Sequence, residues 1–158
     1  YMTQTQSRAF GTFDPILALR GWREFGLTVE DRRRAAGADW VGTIGYGTLS
    51  QLQGERLIAA PTVQILERVR YRSMAGTAER LGPRGLIVDL ARRVKPRELE
   101  RCFGKVVYLG DVDRGLKSGE GPAARYALYR VEQARFDILS QGCPESADRV
   151  KRRFRSGG

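Results

Sequence analysis

Glycine and proline set the scale of what this chain can build. Nineteen glycines and six prolines divide its 158 residues into short segments, and none of the apolar-periodic segments between them runs much beyond about 20 residues. Asp14-Pro15 reads as an N-cap followed by proline in the first turn, opening a helix that reaches Phe25 and ends at Gly26. Thr28-Val29-Glu30-Asp31 resembles a capping box for a second helix through Ala36, with Gly37 just past its end. Arg32, Arg33 and Arg34 form a solvated face of that helix. Residues 38–60 interleave Trp40, Val41, Ile44, Tyr46, Leu49 and Leu52 with Gly42, Gly45, Gly47 and Gly54, which reads as a loop or a weak hairpin. Gly45-Tyr46-Gly47 lacks the spacing of a phosphate-binding loop and is assigned no nucleotide.

Helical periodicity strengthens from Pro61. Val63, Leu66, Met74, Ala78 and Leu81 share one face of a helix that Gly82-Pro83 breaks. Leu86-Ile87-Val88 with Leu90, Ala91 and Val94 reads as a buried helix ending at Lys95. Pro96 then opens a short helix, with Leu99, Cys102 and Phe103 apolar, that stops at Gly104. Val106 to Leu109 suits a short strand, and the glycines from 110 to 121 suit a loop. Pro122 opens a helix to about Ser140, with Ala124, Ala127, Leu128, Val131, Ile138 and Leu139 on one face. The expected fold class is mainly α: a flexible lead-in over 1–12, a helical and glycine-rich segment over 13–60, a helical domain over 61–141 and a basic tail over 142–158.

Charge points to the partner. Lys and Arg number 28 against 18 Asp and Glu, a net charge of +10. Residues 1–60 carry seven basic and six acidic side chains, residues 61–158 twenty-one and twelve. The second half therefore suits a polyanion. Only Lys95, Lys105, Lys117 and Lys151 are lysines, and arginine makes bidentate contacts to phosphate and guanine. Histidine is absent, which excludes every mechanism built on an imidazole. Two cysteines make neither a zinc site nor a disulfide framework; Cys102 reads as a core thiol and Cys143 as a linker residue. Asp111 and Asp113 beside Lys117 form the only close carboxylate cluster, read as a turn or cap rather than a magnesium site. No catalytic activity, metal or cofactor is expected. With no run of about 18 apolar residues and no signal peptide, the expected place is the cytoplasm, away from membranes.

A long helix, a buried helix, a short helix, a connection and a last helix follow the order of a helix-turn-helix domain, whose final helix enters the major groove. Arg125, Tyr126, Tyr129, Arg130 and Gln133 would then face base edges. Leu81-Gly82-Pro83-Arg84-Gly85, Leu86-Ile87-Val88-Asp89-Leu90, Arg97-Glu98-Leu99 and Tyr126 through Leu139 together resemble the sigma-region-4-like helix-turn-helix of phage-type and alphaproteobacterial transcription regulators. The resemblance spans residues 35–140 as an ordering of elements. It departs from the family at 105–121, far longer than the tight turn the motif uses. It implies a sequence-specific double-stranded DNA-binding transcription regulator that also contacts RNA polymerase. Arg68, Arg72, Arg149, Lys151, Arg152, Arg153 and Arg155 would hold phosphates. The alternative is a non-catalytic RNA-binding, ribonucleoprotein component.

Overall fold

The computed structural model describes residues 21–66, 81–115 and 124–135, and within them the chain is an α/β protein, not a mainly α one. Helix α1 (Trp22–Ala36) is followed by strand β1 (Trp40–Thr43), helix α2 (Tyr46–Glu55) and strand β2 (Thr62–Gln64). Strand β3 (Arg84–Leu90), helix α3 (Pro96–Cys102), and strands β4 (Phe103–Arg114) and β5 (Ala124–Ala134) complete the order. The five strands form one mixed sheet in the order β2-β1-β3-β5-β4. β1 pairs in parallel with β2 and β3, whereas β5 runs antiparallel to both β3 and β4. Strands from either side of residue 60 thus share one sheet.

The helix expected over 122–140 is strand β5 as far as Ala134, and the remainder lies outside the described residues. Its apolar residues serve both faces of the sheet: Tyr126 and Leu128 pack on one side, Ala127, Tyr129 and Val131 on the other. A strand buried on both faces scatters apolar residues over both parities, and here that scatter coincides with helical spacing. The buried helix expected over 86–94 fails for the same reason. Gly85 to Asp89 are all buried in β3, between β1 and β5. The Gly-rich 38–60 stretch holds β1 and α2 instead of a loop or hairpin. Residues 62–64 of the helix expected from Pro61 are strand β2, and 67–80 lie outside the described residues.

α1 runs straight through Gly26, where packing against Leu57 replaces the expected break. Thr28 donates its hydroxyl to the Glu24 carbonyl, 3.0 Å away, as a mid-helix residue does, so it caps nothing. Gly37 does close α1 in the left-handed conformation, φ 64°, its N–H donating to the Arg33 and Arg34 carbonyls. α3 starts at Pro96 as expected. Cys102 is buried at its end but is disulfide-bonded, not a free thiol.

Two apolar layers flank the sheet. On one face α1 and α2 cover Val41, Leu86, Val88, Tyr126 and Leu128 with Trp22, Phe25, Val29 and Leu52. On the other, Trp40, Ile65, Ile87, Tyr129 and Val131 pack with Val94, Leu99, Cys102 and Phe103 around α3. Trp40 lies flat over β3, where a Cβ at Gly85 would overlap its indole, and its Nε1 donates to the Gly82 carbonyl at 3.0 Å. Edge strand β4 is protected from pairing with other chains by exposed Lys105 and Asp111 and by an irregularity between Tyr108 and Gly110.

Candidate anion-binding surface

Parallel strands present ligands at their carboxyl ends, above all where neighbouring strands send their connections opposite ways. In this sheet that point lies between β1 and β3, and the chain's own carboxylate fills it. Asp89, fully buried near the end of β3, accepts from the Ile44 N–H, the Gly45 N–H and the Thr48 hydroxyl, each at 2.8 Å. Its other contact is the Leu90 N–H at 2.7 Å. Asp89 therefore stitches the β1–α2 turn to β3. It is a structural carboxylate, and its lone pairs are occupied.

Beyond Asp89 the character of the chain changes. The turn after β3 is held by the Ala91 N–H on the Arg125 carbonyl (2.9 Å) and the Arg93 N–H on the Leu90 carbonyl (2.8 Å). Val94, Glu98, Leu99 and Cys102 point inward and are buried. Arg92, Arg93, Lys95, Arg97 and Arg101 are all exposed, with Glu100 the single exposed carboxylate among them. Arg33, Arg34, Arg84, Lys105 and Arg125 are held in ion pairs. Arg92, Lys95, Arg97 and Arg101 thus present uncompensated charge. On α3 the four-residue spacing sets Arg97 and Arg101 on one face. No helix of the described residues is long and apolar enough to cross a membrane.

The five residues expected to read bases do not form a helical face. Arg125 is exposed on β5 and forks onto Asp113, Nε to Oδ1 at 2.9 Å and Nη2 to Oδ2 at 3.3 Å. That hydrogen bond, from a guanidinium, holds the Asp113 carboxyl below its ordinary range. Tyr126 is core: its ring lies 4.3 Å from Phe25 and 5.9 Å from Trp22, and its hydroxyl accepts from Arg114 at 3.2 Å. Burial pushes its hydroxyl pKa up. Tyr129 is buried on the opposite face, 5.1 Å from the exposed Tyr108 ring. Arg130 is half-buried on the α1 side, and Gln133 is exposed near the end of β5 with φ 60°. Two of the five are therefore packing residues, and the set is divided between the two faces of the sheet.

Arg68, Arg72, Arg149, Lys151, Arg152, Arg153 and Arg155 lie outside the described residues. Asp111 and Asp113 are on strand β4, not in a turn or cap. The first accepts from the Tyr108 hydroxyl at 2.6 Å and the second is held by Arg125. No group of three or more potential metal ligands occurs among the described residues. The cationic face at 92–101 was visible as five cations in ten residues, but reading 86–94 as a buried helix concealed it. Nothing in the sequence marks Asp89 as buried. The fold and site define an α/β protein with a cationic surface beside the carboxyl end of its parallel strands. No protein-family model, no curated protein and no solved structure matches this chain.

Proposed function

We propose that the protein binds double-stranded DNA through the Arg92–Arg101 face, gripping phosphates, without catalysing a reaction. The observation that carries the reading is the outward set Arg92, Lys95, Arg97 and Arg101, exposed and without an ion pair among the described residues, on a chain of net charge +10. Four or five phosphate contacts give a strongly salt-dependent affinity, with a log–log slope of about −4. Residues 91–101 contain no aromatic side chain, and recognition of single-stranded RNA relies on aromatic stacking, so a duplex backbone is the better fit. A role in transcription then depends on sequence preference, which phosphate contacts alone do not supply.

Fluorescence anisotropy on labelled duplex, with structured RNA and non-specific duplex as competitors, tests this reading. Arg97→Gln with Arg101→Gln is expected to weaken duplex binding about equally across sequences and to reduce the salt slope by about 2. An unchanged affinity in this double variant excludes the face. Preferential competition by RNA moves the function to the ribonucleoprotein class.

A further inference from the structure

We infer that the strip between α1 and strands β4 and β5 is a second, separate anion site, built on Arg130 and suited to a small phosphate-type dianion, free or as a monoester. Arg130 stands opposite Leu86 on one side and Val107 on the other, on the sheet face that α1 covers. Its side chain makes no hydrogen bond or ion pair among the described residues, and its Nε is sealed from solvent with no acceptor there. A guanidinium Nε shut off from water needs an acceptor, and a bound anion supplies one.

Among the described residues the neighbourhood supplies further positive charge. The register sets Arg84 and Lys105 opposite Glu132, two positions along β5 from Arg130 and diagonal to it, a separation of about 7–8 Å between such neighbours. Both oxygens of Glu132 are already held, one by Arg84 Nε and the other by Lys105 Nζ at 3.3 Å. From α1, Arg32 reaches across to the Leu109 carbonyl at 3.5 Å. Four cations, Arg32, Arg84, Lys105 and Arg130, thus stand at this end of the sheet against Glu132 and against Asp39, which accepts from the Arg84 N–H at 3.1 Å. A surplus of that size suits a doubly charged tetrahedral oxyanion better than a monovalent carboxylate. α3 packs on the opposite side of the sheet, so this site is distinct from the DNA-binding face.

Arg130 has a clear counterpart on the same strand. Arg125, five residues earlier, has its own carboxylate in Asp113. A carboxylate partner stands at Arg125, and at Arg130 none stands among the described residues.

The test is calorimetry and thermal melting of the full chain with inorganic phosphate, glycerol phosphate, acetate and chloride at matched ionic strength. Saturable phosphate binding and a melting point raised by several degrees are expected, with little response to acetate or chloride. Arg130→Gln should weaken phosphate binding at least tenfold. Arg130→Leu should abolish it and melt no lower than the parent in chloride, because an unpaired charge has been removed. The Arg97→Gln, Arg101→Gln variant should keep phosphate binding while losing duplex affinity, so failure of either site is read separately. An Arg130→Leu protein that melts lower yet binds phosphate as before overturns the inference. So does an acetate or chloride response equal to that of phosphate.

Discussion

Asp89 and Arg130 are both charged side chains set into the sheet, and their surroundings are opposite. Asp89 is fully buried in the parallel half and satisfied by two backbone N–H groups from the β1–α2 turn, the Thr48 hydroxyl and the Leu90 N–H. Arg130 is half-buried in the antiparallel half, and its Nε has no acceptor. In the low-dielectric interior a charge is tolerable when hydrogen bonds replace the water it lost, and costly when they do not. The contrast separates a charge that builds the fold from one that awaits a ligand.

Removing the satisfied charge should have the largest effect. Asp89→Ala strands two backbone N–H groups and a hydroxyl in the interior, and an equilibrium urea titration should show a loss of about 3–4 kcal/mol. A loss below about 1 kcal/mol would mean that water replaces the carboxylate, and the contrast with Arg130 would fail.

Acidification acts next, through other carboxylates. Burial alone would raise the Glu30 carboxyl, but hydrogen bonds from Arg33 and the Ala59 N–H, with the Arg33 and Arg34 charges, outweigh it and hold it low. Glu132 is held low by its hydrogen bond from Arg84, which outweighs burial, and by Lys105; Asp113 is held low by Arg125. Folded-state values below the unfolded ones mean that these contributions are complete above the ordinary carboxylate range and vanish as pH falls through the lowered values. Without histidine, no side chain of that type titrates between about pH 5 and 8. Melting temperature should therefore be flat across that interval and fall below about pH 4.5. A step near pH 6.5 would contradict this assignment.

The smallest effect belongs to the exposed pair on β4 and β5. Asp113→Ala should cost about 0.5 kcal/mol or less, since solvent and salt screen the Arg125 charge. It is also the cleanest control for Arg130. Freeing Arg125 by this substitution should create no phosphate site, because this guanidinium is exposed and solvated by water.

What was legible in the sequence is local. Pro96 at the start of α3, Gly37 at the end of α1, and a strand beginning near Val106 all follow from the chemistry of adjacent residues. The misreadings share one cause. Leu86-Ile87-Val88 and Tyr126 through Val131 are runs whose apolar residues fit a helix and a doubly buried strand equally well. Only their long-range partners, β1 for the first and β3 and β4 for the second, decide between them. The candidate sites divide the same way. The cations of 92–101 can be counted in the sequence, whereas the burial of Tyr126 and the isolation of Arg130 arise from strands brought together across the sheet.

The sequence by itself therefore determined the charge, the lack of any imidazole chemistry and the positions of several turns, because these depend on composition or on neighbours a few residues apart. The tertiary structure decided which apolar runs became strands, which carboxylate was buried and which arginine has its Nε buried with no acceptor among the described residues. Those outcomes depend on residues far apart in the chain, from Val112 with Tyr126 to Gly85 with Val131, and no local propensity encodes such pairing.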